Sequence, residues 1–182
     1  MRLLFYFFLG LTLLVVSNLN AQIPTNGLVA SYEFNGNLND GVGNSDLVGS
    51  SVPFITDRLG NTSAAISVKR TKLEGYTFTG NNNQLSISFW AAFNPTSPFT
   101  ERALQIFDGN GGGFRIEYNR ANSLLQFAVN TTGTSAAVVR SSNLSTTTSN
   151  DWHHFVITVQ KTTVVEARVY IDGNLESDLT IT

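Results

Sequence analysis

Between Val165 and Ile171 the chain alternates strictly: Val165, Ala167, Val169 and Ile171 point one way, Glu166, Arg168 and Tyr170 the other. A period of two is the mark of a half-buried strand. The run stops at Asp172-Gly173, a dipeptide that readily takes the positive φ of a tight hairpin turn. A second apolar run, Phe155 to Val159, follows Asp151-Trp152-His153-His154 and reaches the first through Gln160-Lys161-Thr162-Thr163. The pattern predicts a β-hairpin feeding a second hairpin. Upstream, Leu85, Ile87, Phe89, Ala91 and Phe93 form one apolar face against Ser86, Ser88, Trp90 and Ala92. Gly27–Phe34 predicts an opening strand, and Ala64, Ile66 and Val68 alternate after the turn at Ile55–Asn61. Ala103–Phe107 and Phe114–Tyr118 predict a pair of strands across Asp108–Gly113. Leu125, Phe127 and Val129, then Ala136–Val139, predict more, and Ser141–Asn150 reads as a loop rich in Ser, Thr and Asn. The strand segments leave no stretch with a helical period, so the fold class is all-β.

The first 21 residues break this pattern. Arg2 precedes a continuous apolar run from Leu3 to Val16, and Ser17-Asn18-Leu19-Asn20-Ala21 follows. That is the form of a signal peptide cleaved after Ala21, too short in its apolar part to span a bilayer comfortably. Residues 22–182 then form one domain, and the expected location is secreted or at the cell surface, with no membrane insertion after cleavage. Charged residues make up only 13% of the 182, with a formal net charge of −2. No basic stripe exists to neutralise phosphates, which argues against nucleic acid as a partner. The absence of cysteine excludes disulfides, thiolate metal sites and thiol catalysis. Extracellular eukaryotic domains more often carry disulfides, so bacterial export is the expectation. The triplets beginning at Asn61, Asn130 and Asn143 fit the glycosylation pattern, but a chain this rich in Asn, Ser and Thr produces them by chance.

Three stretches carry a family resemblance. Trp152-His153-His154 with its apolar run, continuing to Val169-Tyr170-Ile171-Asp172-Gly173-Asn174, resembles the central hairpin of laminin-G-like domains in the concanavalin-A-like jelly-roll superfamily. Gly27–Asp40 is similar to the opening strand and loop of the bacterial secreted branch. Leu85–Ala91 resembles that family's apolar strand with its tryptophan. They occur in family order and cover most of the chain from Gly27 onward. The resemblance implies an antiparallel two-sheet jelly-roll sandwich. Related domains continue through a further glycine turn, an acidic strand and a terminal segment, so the resemblance implies either that the chain is cut short, the favoured expectation, or that the fold closes in a reduced way. An absent terminal strand would leave a sheet edge open for pairing.

The candidate chemistry is sparse. Asn35–Asp46 is a long loop dense in oxygen side chains and glycines, the donor types a calcium ion takes. In related domains this region can contribute to a calcium site, with Asp40 the first choice of ligand and Asn35 the second. An ordinary turn held by Asx hydrogen bonds is the competing reading. Trp90, amid small residues on the second face of its strand, is either a sugar-stacking platform or a space-filler under a loop. The resemblance favours the filler. Adjacent His153 and His154 face opposite ways on a strand and cannot chelate one ion together; the expectation is one packed and one at the surface. Lys69-Arg70-Thr71-Lys72 could meet an acidic glycan but reads more simply as a solvated turn. Asp108 and Asn110 begin like an EF-hand loop, yet Asn119 stands where a bidentate Glu is required.

Some relatives are glucanases, whose retaining chemistry needs two carboxylates roughly 5 Å apart. Their Glu-x-Asp-x-x-Glu signature is matched by Glu176 and Asp178 but fails at Ile181. With no catalytic residues identified, the expectation is a non-catalytic exported module. By the resemblance it recognises carbohydrate or an extracellular protein partner through rim loops, in an adhesive role. The alternatives are an accessory domain of a larger secreted glycoside hydrolase and an architectural module of a surface protein.

Overall fold

A computed structural model describes residues 25–68, 83–94, 100–107, 113–119, 121, 123–133, 136–144 and 151–181. The leader, the Lys69–Lys72 cluster, the Asp108–Gly112 part of the hairpin loop and Ser145–Asn150 lie outside them. Ten strands are described: β1 (Phe54–Ile55), β2 (Ala65–Ile66), β3 (Gln84–Ala91), β4 (Glu101–Phe107), β5 (Gly113–Asn119), β6 (Leu124–Gly133), β7 (Ala136–Asn143), β8 (His153–Lys161), β9 (Val165–Ile171) and β10 (Asn174–Ile181). No helix occurs among the described residues. Every pairing is antiparallel.

β1 and β2 form a short ribbon, and the other strands make two four-stranded sheets, ordered β10-β9-β8-β3 and β4-β5-β6-β7. The chain therefore leaves the first sheet after β3, builds the whole second sheet as a meander, and returns to lay β8 beside β3. That return sets Phe89 opposite Phe155 and Trp90 opposite His154.

One apolar face of each sheet meets the other. Phe155, Ile157, Ala167, Val169 and Ile171 of the first sheet share a buried cluster with Ile116, Tyr118, Leu125, Phe127 and Val129 of the second. Leu85, Ile87 and Phe89 pack against it from β3. The Phe89 and Phe155 rings stack with centroids 5.3 Å apart, and Phe93 meets Phe155 edge-on at 6.0 Å. Both geometries suit the ring quadrupole. Burial of these side chains away from water is the main term holding the sandwich. Ser142 of β7 donates to Ser177 of β10, a polar tie between the two sheets.

The turn at Asp172-Gly173 forms as expected, with φ of 50° and 84°. Two elements differ from the sequence expectation. Gly27–Phe34 joins no ladder; its backbone is claimed locally instead, Ser31 N–H by Asp40 Oδ1 at 3.0 Å and Ser31 C=O by Gly41 N–H at 2.8 Å. β7 runs on through Ser141, Ser142 and Asn143, because Gln126–Ala128 of β6 supply ladder partners for that polar end.

Candidate functional site

Asp40 lies at the centre of the Asn35–Asp46 loop and is only 9% exposed. Its Oδ1 accepts the N–H groups of Ser31 and Val42, each at 3.0 Å, and Oδ2 accepts that of Ser45 at 3.4 Å. These amide donors, Ser31 first and Gly43 next, hold the carboxyl down at about 2. Asp46 returns the favour by accepting the Asp40 N–H at 2.9 Å, and Tyr32 O–H donates to Ser45 C=O at 2.7 Å. Gly43 belongs here for space: a Cβ would sit 2.6 Å from Asp40 Oδ2 and 3.0 Å from Val29 O. Asn35 shares none of these partners. Its Nδ2 donates to Glu33 Oε2 at 3.0 Å, and its carbonyl accepts from Asn37. A cation needs oxygens with lone pairs to spare, and this carboxylate spends its own on amides. The structure does not bring Asp40 and Asn35 together: the first collects backbone amides and the second pairs with Glu33. Among the described residues no group of three or more His, Asp or Glu is disposed to hold a metal ion.

The two histidines diverge as strand geometry requires. His153 Nδ1 lies 2.7 Å from Asp172 Oδ2, at the turn that ends β9. Asp172 Oδ1 also accepts His154 N–H at 2.9 Å, so the carboxyl is lowered by His153 first and by that amide second. The His154 ring goes to the other face of the sheet, where its Nε2 is 2.8 Å from Ser88 Oγ.

That outer face holds a cluster which departs from the sequence reading. Trp90 does not fill buried space; it is 43% exposed. The burial pattern of β3 alternates, with Leu85, Ile87, Phe89 and Ala91 turned inward and Ser86, Ser88 and Trp90 outward. His154, the cross-strand partner, stacks on the indole with centroids 5.1 Å apart and planes 24° apart. Arg58 reaches the same indole from the turn between β1 and β2, its Cζ 4.2 Å from the ring centroid. That is within cation–π range.

The turn carrying Arg58 is tightly braced. Asp57 Oδ1 accepts the N–H groups of Leu59 and Asn61, both at 2.8 Å, and Oδ2 accepts Asn61 Nδ2 at 3.0 Å. The backbone closes on itself through Asp57 N–H to Asn61 C=O at 3.0 Å and Gly60 N–H to Asp57 C=O at 3.2 Å. Gly60 takes a φ of 88°, which its missing Cβ permits. These bonds, Asn61 Nδ2 foremost, lower the Asp57 carboxyl.

The arrangement is a partly exposed indole with an imidazole stacked on it and a guanidinium over its ring, and with the Ser88 hydroxyl bonded to that imidazole, all presented on the outer face of the sheet. Such a surface can take a ligand with one apolar face and a polar edge. The sequence singled out Trp90 and His154 separately and passed over Arg58 and Ser88. The Asp-x-x-Gly-Asn turn at 57–61 was the available signal for a pre-set Arg58. Farther along the face, Arg168 is held by Asp178 and Glu166, each at 3.1 Å, which raises its pKa.

The model of the family described as the concanavalin A-like lectin/glucanases superfamily covers residues 60–182, more than half of the chain. No curated protein and no solved structure matches the chain. The matched segment contains Trp90, Ser88 and His154, while Arg58 lies just ahead of it.

Proposed function

The chain belongs to the concanavalin A-like lectin/glucanases superfamily, and from that premise we propose that it is a non-catalytic carbohydrate-binding module whose sugar platform is Trp90. The observation that carries the reading is the exposure of the indole on the outer face of the first sheet, beside Ser88, His154 and Arg58. A pyranose has an apolar C–H face and a rim of hydroxyls. The first suits the exposed part of the indole, and the second suits the hydroxyl, imidazole and guanidinium gathered around it. The site so proposed stands on a sheet face and one braced turn instead of on rim loops.

The acids support a binding role over hydrolysis. Asp178 is engaged by Arg168, and Glu176 sits at the register shift between Leu175 and Ser177, where the regular alternation of faces is broken. Glu117 is 4% exposed and faces Arg115 at 3.1 Å. Glu166 and Asp178 are both tied to Arg168 at 3.1 Å, an arrangement that occupies their carboxylates in ion pairs. A signal peptide at 1–21, as the sequence predicts, would put the module outside the cell, where it would hold its bearer to polysaccharide.

A glycan array probed with the full mature chain tests this. Saccharide binding that is lost in Trp90→Ala, with cooperative unfolding retained, is the expected result. Binding that survives the substitution, or capture of protein partners with no saccharide bound, overturns it.

A further inference from the structure

Over the Trp90 ring lies a guanidinium that forms an ion pair with no described carboxylate. We propose that the Arg58–Trp90 pair makes the site selective for carboxyl-bearing saccharides, uronates, over neutral ones. The inference rests on the carbohydrate reading above and narrows it.

Of the other arginines whose side chains are described, Arg115 pairs with Glu117, and Arg168 with Glu166 and Asp178. Arg58 has no carboxylate partner among the described residues; its described contact is the Trp90 ring. The nearest acid in sequence, Asp57, turns both of its oxygens to amide donors of its own turn and makes no ion pair with Arg58. That same bonding fixes the backbone from which Arg58 extends, so less ordering is needed when a ligand arrives. Asp172, near the backbone of His154, is met by His153. The Arg168–Glu166–Asp178 group begins at the Ser86–Thr158–Arg168 register, four residues along β3 from Trp90. That is roughly 13 Å along the strand, beyond a Debye length of about 8 Å at physiological salt.

A guanidinium is a planar fork of donors that matches a carboxylate with two parallel hydrogen bonds, and it stacks on aromatic faces while doing so. On a pyranose seated against the exposed part of the indole, beside the guanidinium that lies over the ring, the exocyclic carboxylate is the group such a fork can meet. A neutral sugar offers a hydroxymethyl group there and leaves the charge unanswered.

Isothermal titration of the mature chain against an oligogalacturonate and against its carboxyl-reduced, neutral counterpart separates the possibilities. The expected result is a preference for the uronate of about ten- to hundredfold, the usual scale for charge-assisted bonds, falling with added salt. Arg58→Gln should abolish the preference and keep the weaker neutral binding; Arg58→Lys should restore only part, since it returns charge without the fork. Equal affinity for both probes overturns the selectivity and leaves the sugar platform standing. A preference that persists in Arg58→Gln also overturns it, placing charge recognition elsewhere. Binding of neither probe by the parent chain overturns the uronate selectivity, and if no other saccharide binds, the platform reading falls with it.

Discussion

Replacing Trp90 with alanine removes the surface on which the sugar reading depends, and the loss can be sized. A tryptophan side chain offers up to about 250 Å², of which 43% is exposed with Arg58 and His154 already in place. A ligand covering that remainder would bury about 100 Å², worth roughly 2.5 kcal/mol at about 25 cal/mol per Å². Affinity should therefore fall about 60-fold, at 1.4 kcal/mol per decade. The fold should tolerate the change. The indole faces away from the core, so what goes is one ring stack and one cation–π contact, together about 1–2 kcal/mol. For a domain of this size that is a drop in melting temperature of roughly 2–8 °C. Trp90→Phe keeps a smaller platform and should lie between. Titration calorimetry on a saccharide found by the array, with thermal unfolding of each variant, measures both numbers. An alanine variant that unfolds cooperatively and binds within about threefold of the parent would refute the reasoning.

Other outcomes follow from the same geometry. Asp40 has its folded-state pKa depressed to about 2 from an ordinary 3.8; between these values the unfolded chain holds the proton and the folded one does not, so stability rises with pH there. Its contribution is present above about 4 and lost as pH falls through about 2, and the stability gap between parent and Asp40→Asn in urea titrations should narrow over that window. Because the same carboxylate is occupied by amides, millimolar Ca²⁺ should leave the melting temperature where EDTA leaves it; a rise of several degrees would establish a metal site. Phe155→Ala removes a fully buried ring between Phe89 and Phe93 and should cost about 3–5 kcal/mol. Chemical denaturation would show that as a shifted midpoint, and a loss under about 1 kcal/mol would mean the two sheets do not meet where described.

The strands that were legible are those whose alternation coincides with a buried face. Val165–Ile171 and Leu85–Ala91 each present one apolar side, and the Asp172-Gly173 turn supplies the positive φ that joins β9 to β10. Gly27–Phe34 shows why alternation alone is not enough. It states which residues could share a face, but a strand also needs a neighbour to take its backbone donors and acceptors. Here Asp40 and Gly41 take those of Ser31. The end of β7 shows the converse. Ser141, Ser142 and Asn143 look like loop by composition, yet β6 is long enough to pair with them, and Gln126 Nε2 donates to Asn143 Oδ1 at 3.1 Å.

The site was harder to read for a related reason. An aspartate among glycines is equally suited to collecting amide donors or to holding a cation, because both demand a curled backbone with an anion at its centre; only the direction of the surrounding N–H groups decides. At Asp40 they point inward. Trp90 turned on a different ambiguity. In a sheet covered on one side a strand position is either buried or presented according to parity, and Trp90 has the parity of Ser86 and Ser88. What surrounds it came from far along the chain. Register places His154 across from it, and the closed turn of Asp57–Asn61 brings Arg58 over its ring. Local patterns describe each of the three segments, whereas their meeting is a property of strand order. A chain with the same alternation but β8 shifted by one residue would turn His154 inward and Phe155 out. The core would then forbid the register before the site could be lost, so the packing of Phe89 on Phe155 is what keeps the indole, the imidazole and the guanidinium together.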